Sequence, residues 1–285
     1  MNAPRKHHYI PIFYLKQWSQ ADGKIFEYKK LERKIAERRT HPSGTGYRTE
    51  LYHIKGLPSN QPQDVEIKFM RPVDTKANDA LKKILNDDGK PWDHKMRSAW
   101  ARFIMSLIYR NPESVEDFNA KLVDEWNTAL QDIKSDYDEK KTKDDPATFD
   151  EFRAQLEPEA PYKSASNLLK GMIDNPRIGQ TIFDMHWSRI ELSDSRISLL
   201  TSDRPLEYPI GLGNPNAFIT LPIGPKNIFL AARDPNFANR IANNNHTDTA
   251  KRMNLHVVRQ ARLFVWGDSN KQQSFITKHM SKAGD

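Results

Sequence analysis

The sequence predicts an α+β fold, with a mixed or antiparallel sheet built from the N- and C-terminal segments and a large α-helical insertion packed on it. Polar and apolar residues alternate near both ends, at 24–28 and 187–192, as in half-buried strands. Apolar residues in the middle recur every three or four positions, which indicates helices. We therefore expect one composite domain, with a β segment at 1–64, a helical insertion at 65–180 and an α+β segment at 181–285.

The N-terminal segment opens with a dense run of aromatic and basic residues at 7–18. Pro11 forbids a helix through residues 10–13 and favours an extended start, because proline fixes its own φ and restricts the residue before it. Gly and Asp mark the turns that follow, and alternation marks the strands. The expected elements are a turn at 21–23, a strand at 24–28, a hairpin strand or short helix at 31–39 and a short strand at 51–54.

The most apolar helix of the insertion is expected at 92–108 and carries Trp100 and Phe103. Asn111 suits a helix N-cap and Pro112 the first helical position, so we expect a new helix to start there at once. The expected helices lie at 65–85, 92–108, 112–133, 149–156 and 166–173, and Asp88-Gly89 ends the first of them.

The C-terminal segment returns to strand patterns that complete the sheet. A tight turn at 224–226 joins two of its strands as a hairpin. The expected strands lie at 187–192, 197–203, 218–223, 227–231 and 263–266, with a helix that starts near 238 or 247 and ends at 260, and a short helix within 270–285.

The chain carries a net charge of +7, and this charge is unevenly distributed. Residues 1–60 hold 12 Lys and Arg against 5 Asp and Glu, and residues 251–285 hold 7 against 2. The middle, 61–250, holds 25 against 30 and is acidic. If the two ends fold together, they make a positive face that attracts phosphate-bearing partners such as nucleic acids or nucleotides. The alternative is that the ends only balance the acidic middle.

Composition excludes several classes of protein. The chain has no Cys, so disulfides, thiolate metal sites and a Cys nucleophile are excluded, and a reducing, cytoplasmic setting is expected. No apolar run approaches the roughly 20 residues that span a bilayer, so no membrane partner is expected. No His, Asp or Glu spacing matches a known metal motif, although a divalent metal ion remains compatible with the candidate site below.

His7 and His8 are the first candidate catalytic residues. Neighbouring residues of an extended segment point to opposite faces, so one imidazole can enter a site while the other packs. Histidine also exchanges protons near neutral pH and binds metals. Tyr9 and Tyr14, in the same segment, are candidate substrate-binding residues. The alternative is an exposed basic tail.

Asp203 is the second candidate, at the end of an expected strand that also delivers Thr201 and Ser202 as candidate substrate-binding residues. Carboxylates at such strand ends often act as active-site acids or bases. The alternative is an ordinary turn, in which the carboxylate accepts hydrogen bonds from backbone N–H groups.

Arg110 and Asp74 complete the candidate set. Arg110 ends the most apolar helix, where its guanidinium can hold a phosphate or carboxylate through two hydrogen bonds or can cap the helix carbonyl groups. Asp74, early in the first long helix, is either a carboxylate directed inward, placed with the substrate-binding residues, or a partner of the positive helix end.

Several short motifs follow one another along the chain. They are His7-His8-Tyr9-Ile10-Pro11, Arg110-Asn111-Pro112, Trp187, Thr201-Ser202-Asp203-Arg204-Pro205, Leu221-Pro222-Ile223-Gly224-Pro225 and Phe264-Val265-Trp266. Together they resemble the bacterial domain-of-unknown-function 4238 family over nearly the whole chain. The resemblance implies a shared site for His7, His8, Arg110 and Asp203, with Asp74 at the family's acidic position. It implies no activity.

Two hypotheses for function follow from these residues. In the first, the protein is a nuclease or another enzyme that processes phosphodiesters or nucleotides, of toxin or defence type. His7 or His8 is its general base or a metal ligand, Asp203 orients that histidine or binds the metal, and Arg110 holds the phosphate. In the second, the same face is a non-catalytic module that binds nucleic acid or protein. A purely structural role, in which these groups tie the two chain ends together, is the remaining alternative.

Overall fold

The computed structural model describes residues 5–32, 34–52, 64–86 and 90–280. Antiparallel strands near both ends of the chain flank a long run of helices, which confirms the predicted α+β class. The described strands are β1 Lys6–His8, β2 Ile25–Lys30, β3 Ile35–Thr40, β4 Tyr47–Thr49, β5 His186–Glu191, β6 Thr201–Ser202, β7 Phe218–Gly224, β8 Asn227–Ala232 and β9 Phe264–Gly267.

The helices begin with α1, a single turn after Pro11, and most of the others lie between the two groups of strands. A π-helical segment, Asp64–Met70, leads directly into α2. The described α-helices are α1 Ile12–Leu15, α2 Arg71–Asn86, α3 His94–Tyr109, α4 Pro112–Lys140, α5 Phe149–Gln155, α6 Ala160–Ile173, α7 Pro176–Phe183, α8 Phe237–Ala242, α9 His246–Gln260 and α10 Gln273–Met280.

One sheet joins the two ends of the chain, in the order β3-β2-β9-β6. All its pairs are antiparallel, and Tyr28 of β2 lies opposite Val265 of β9. The predicted sheet from N- and C-terminal segments is therefore confirmed. The other strands do not join it: β1 pairs with β4, and β5, β8 and β7 form a third sheet. Pro225 and Lys226 connect β7 and β8, at the predicted hairpin turn.

The structure corrects or resolves three predicted elements. The expected strand at 197–203 shortens to β6, because the Asn254 side chain takes the place of a strand partner: its Oδ1 accepts the Leu200 N–H at 2.8 Å and its Nδ2 donates to the Ser198 carbonyl at 2.9 Å. The segment at 31–39 is the hairpin strand β3. Of the expected strand at 51–54, the first two residues lie in a turn and the other two are outside the described residues, as is Asp88-Gly89.

The main hydrophobic core lies between α3 and the strands. Helix α3 packs against α2, α6 and α7, and its Trp100 ring lies 5.6 Å from that of Phe229 in β8. The side chains of Trp18, Trp100 and Trp266 are completely buried, and such aromatic residues contribute most to core energetics. α3 is thus held on several sides, which fixes the position of the residue that follows it, Arg110.

Among the described residues, no helix is long and apolar enough to cross a membrane.

Candidate functional site

Arg110 is placed by the corner between α3 and α4. It is the C-cap of α3, and its N–H donates to the Ser106 carbonyl at 2.9 Å. Asn111 is the N-cap of α4, as predicted: its Oδ1 accepts the Ser114 N–H at 3.0 Å, and Pro112 starts the helix. Because the chain turns at once into α4, the Arg110 side chain is held inside the protein, completely buried.

The Arg110 guanidinium uses only part of its hydrogen-bonding capacity. Its Nη1 donates to Asp74 Oδ1 at 2.7 Å. Its Nε and Nη2 are buried and have no hydrogen-bond partner within the described residues. We call these two atoms the open edge of Arg110. Their N–H groups point to the same side of the planar guanidinium, which is the fork that binds a carboxylate or phosphate through two bonds.

Three further polar side chains near Arg110 carry a buried atom that also lacks a partner among the described residues. These atoms are His8 Nε2, Tyr52 Oη and Glu66 Oε2. The Arg110 charge affects the pKa of all three side chains and of Asp74. We call His8, Tyr52, Glu66, Asp74 and Arg110 the Arg110 cluster. A buried polar atom without a partner costs about 1–3 kcal/mol, so this concentration is costly unless a ligand completes it.

Burial raises the pKa of both carboxyl groups of the cluster. Burial raises the pKa of Glu66 to about 7, and the nearby Asp74 carboxylate adds to this, while Arg110 and Arg71 oppose it. Burial also raises the pKa of Asp74, against the opposing effect of Arg110. Glu66 therefore changes its protonation state near neutral pH, which suits an acid or base catalyst.

His8 is held in its neutral form. Burial, with the Arg110 and Lys6 charges, lowers its pKa to about 4, while a hydrogen bond with the Ser43 backbone opposes the shift. That bond favours the protonated ring, so His8 is its donor. Because Nε2 has no partner in the described part of the chain, the donor is Nδ1, and Nε2 of the neutral ring is an acceptor.

His7 contacts both the ring and the backbone of Tyr52. Its ring stacks on the Tyr52 ring at 5.3 Å, and its Nδ1 accepts the Tyr52 backbone N–H at 3.2 Å. His8 instead meets the Tyr47 ring edge-on at 5.4 Å. The two imidazoles thus have different surroundings, as successive residues of a strand do.

Asp203 lies at the start of a turn and binds the chain before β9. Its Oδ1 accepts the Arg262 N–H at 2.9 Å, and its Oδ2 accepts those of Leu263 and Phe264 at 2.6 and 3.0 Å. Burial raises the pKa of Asp203 to about 6, and these three bonds oppose the shift. This is the backbone capping that a turn carboxylate makes, and its catalytic role stays a prediction.

The other predicted substrate-binding residues make internal contacts. Tyr14 donates to the Pro222 carbonyl at 2.7 Å, so Thr201 Oγ1, 2.8 Å away, donates to the Tyr14 oxygen. Ser202 Oγ accepts the Arg204 N–H at 3.2 Å. Tyr9 is buried, and the Asp203 charge helps burial to raise its pKa. The substrate-binding role of these residues also remains a prediction.

The structure brings the predicted residues into two neighbouring groups. His8, Asp74 and Arg110 lie in the Arg110 cluster, and Tyr9 lies near Asp203. Arg204 Nη2 connects the two groups, since it donates to Asn111 Oδ1 at 3.3 Å and Glu113 Oε2 at 3.2 Å. The 110–113 corner therefore lies directly against the segment that carries Asp203.

The cluster is better suited to an oxyanion than to a metal ion. Within the described ranges, no group of three or more His, Asp or Glu side chains is arranged to hold a metal. The open edge of Arg110 offers two fixed N–H donors instead. Sequence reasoning missed Tyr52 and Glu66, which enter the cluster through tertiary packing.

The fold and the site define an α+β protein with a buried arginine–carboxylate cluster beside its N-terminal strand. The chain belongs to the DUF4238 family, described as proteins of unknown function, whose model matches residues 6–271. This confirms the resemblance seen in the motifs. No curated protein and no solved structure matches the chain.

Proposed function

We propose that the protein is an enzyme that hydrolyses phosphate esters, of the phosphodiester or nucleotide class, and that the Arg110 cluster is its active site. The observation that supports it best is the open edge of Arg110. A guanidinium fork matches two oxygens of a phosphoryl group, and a buried arginine holds its fork rigidly in place.

The energetics favour a bound oxyanion. The open edge leaves two buried N–H groups without a partner in the described part of the chain, at about 1–3 kcal/mol each. The Asp74 contact balances the charge of Arg110 but occupies only Nη1. A phosphoryl group at the open edge would accept hydrogen bonds from both donors. These bonds would replace part of the hydration that the phosphoryl group loses on entry. The Asp74 side chain is 25% exposed, so the cluster reaches solvent on that side.

The neighbouring groups supply acid–base chemistry. In the proposed reaction, neutral His8 takes a proton from water through Nε2 as the water oxygen attacks phosphorus. Protonated Glu66 gives its proton to the leaving oxygen as the P–O bond breaks. The Arg110 charge stabilises the negative charge on the phosphoryl oxygens. Proton transfer from His8 to Glu66 through solvent then restores both groups.

Activity assays with RNA, DNA and nucleotides, with and without divalent metals, test this proposal. Arg110→Lys keeps the charge but loses the fork, and we expect a loss of about 10²-fold or more in kcat/KM. Arg102→Lys is the matched control, because Arg102 of the same helix makes a two-bond ion pair with Asp174 at the surface. Absence of turnover on all substrates, or equal activity of the Arg110 and His8→Ala variants and the wild type, would refute the mechanism.

A non-catalytic module that binds nucleic acid or another anionic partner is the second candidate. The hydrogen bonds of Asp203 favour this candidate over an enzyme. The two oxygens of Asp203 already accept three backbone N–H groups and so are poorly placed to orient a catalytic histidine. In that case, binding without turnover is expected, with an affinity that falls steeply as salt rises. A gel-shift series from low to high salt measures this. Salt-independent binding, or none, would count against the module.

A further inference from the structure

We infer that the Arg110 cluster selects singly charged oxyanions, such as the phosphodiester group, over doubly charged ones, and that it takes up the anion together with a proton on Glu66. This inference rests on the proposed function and deepens it, since it separates phosphodiesters from phosphate monoesters as substrates.

Charged groups already surround the open edge. Arg110 carries one positive charge, and Asp74 at 2.7 Å balances it. Glu66 Oε2 is buried without a hydrogen-bond partner in the described part of the chain, and both charges act on the ionisation of this carboxyl group. An anion on the open edge therefore adds negative charge beside two carboxyl groups. The arrangement is most favourable when Glu66 is neutral, because its carboxyl group can then donate a hydrogen bond to the anion.

An anion that binds at the open edge also loses hydration. Arg110 is 0% exposed and Tyr52 of the same cluster is 4% exposed, so an anion bound at the open edge loses most of its water. The cost of removing an ion from water rises with the square of its charge, whereas its attraction to Arg110 rises only in proportion. A phosphodiester carries one charge, but a phosphate monoester carries nearly two at pH 7. The buried site therefore favours the diester.

The surroundings of Glu66 identify it as the group that takes up the proton. The charges of Arg71 and Asp74 on α2 and of Arg110 after α3 all act on the ionisation of Glu66, and Tyr52 lies in the same cluster. α6 also packs against this segment but buries apolar residues. Burial, with Asp74, raises the pKa of Glu66 to about 7. In contrast, burial lowers the pKa of His8 to about 4, so His8 is already neutral in the free protein between pH 6 and pH 8.

Sulfate and methyl sulfate test the inference, because their charges, two and one, do not change between pH 6 and pH 8. Binding is measured by NMR of the arginine Nε–H groups at constant ionic strength, and Arg110→Lys identifies the Arg110 signal. We expect methyl sulfate to bind about tenfold or more tightly than sulfate at pH 8. The affinity for methyl sulfate should fall about tenfold from pH 6 to pH 8, following the protonated fraction of Glu66.

Glu66→Gln mimics the protonated carboxyl group, so its affinity should be high and independent of pH. Glu139→Gln, at an exposed position on α4, should behave as the wild type. Sulfate binding as tightly as methyl sulfate, or a pH-independent wild type, would overturn the inference while leaving the anion site intact. If Glu66→Gln keeps the pH dependence of the wild type, this would also overturn the inference and leave the anion site intact. If neither anion shifts the Arg110 signal at any pH, the proposed function fails with it.

Discussion

Replacement of Asp203 by Asn separates a structural role from a catalytic one. The carboxylate accepts one N–H at Oδ1, from Arg262, and two at Oδ2, from Leu263 and Phe264. An amide offers one oxygen and one NH2 group. Its best orientation places the oxygen where Oδ2 was and keeps two bonds, so the Arg262 N–H then faces a second donor.

The expected cost of Asp203→Asn is about 2–3 kcal/mol, from one unpaired buried N–H and the loss of the charge on the other two bonds. In a chain of this length, this lowers the Tm by about 4–10 °C. Asp203→Ala leaves all three N–H groups without that acceptor, and its cost should be about 3–6 kcal/mol. At a temperature where Asp203→Asn is folded, anion binding at Arg110 should persist, because the Arg110 cluster does not use this carboxylate.

Differential scanning calorimetry at pH 7.5 measures the change in Tm. The matched control is Asp145→Asn, since Asp145 Oδ2 also accepts a backbone N–H, from Thr142 at 2.7 Å, but is exposed. Its change should stay within about 0.5 kcal/mol. A variant Asp203→Asn with the wild-type Tm and no activity would refute this reasoning and return Asp203 to the catalytic residues.

Three further predictions concern the Arg110 cluster. Tyr52→Phe should weaken anion binding but leave the ligand-free protein as stable as the wild type, or about 1 kcal/mol more stable, because the Tyr52 hydroxyl has no partner among the described residues. The control variant Tyr14→Phe loses two hydrogen bonds, which should cost about 1–3 kcal/mol of stability as measured by urea denaturation. The pKa of His8 falls from 6.5 to about 4 on folding, so the folded protein should lose stability as pH drops through that window, by at most about 3 kcal/mol. His8→Gln should reduce this loss of stability, and the exposed His41→Gln should not. The pKa of Glu66 rises from 4.5 to about 7 on folding, so the contribution of Glu66 to stability is lost as pH rises through that window. Glu66→Gln should therefore be more stable than the wild type at pH 8, by up to about 3 kcal/mol. Equal denaturation midpoints of the two proteins at pH 8 would contradict this.

Local signals in the sequence predict local structure well. Asn111 and Pro112 predict the corner after α3 because capping and a fixed proline φ act within a few residues. Alternation likewise identifies most strands. It does not identify their partners, and the strands divide into three sheets. The strand expected at 197–203 shortens because a distant side chain, Asn254, satisfies its backbone, and residue pattern alone carries no sign of that contact.

The sequence predicts only part of the candidate site, because tertiary packing brings the other residues into it. Arg110, Asp74 and His8 stand out by residue type and by position at element ends. Glu66 offers a weaker signal, a carboxylate at the start of the first helical pattern, eight residues before Asp74. Its distinguishing property, a pKa near neutrality, comes from burial and from its neighbours, which only the tertiary fold supplies. Tyr52 enters the cluster for the same reason.

The contrast between two buried charged groups, Asp203 and Arg110, supports the proposal that the Arg110 cluster binds a ligand. The fold supplies three backbone donors to Asp203, so both of its oxygens are occupied. Arg110 is more deeply buried, yet of its three guanidinium nitrogens only Nη1 has a hydrogen-bond partner within the described residues. If stability alone shaped the cluster, replacement of the arginine and its carboxylate by apolar residues of similar size would be neutral or favourable. The proposed ligand would occupy the open edge, where two parallel N–H groups match a pair of oxygens.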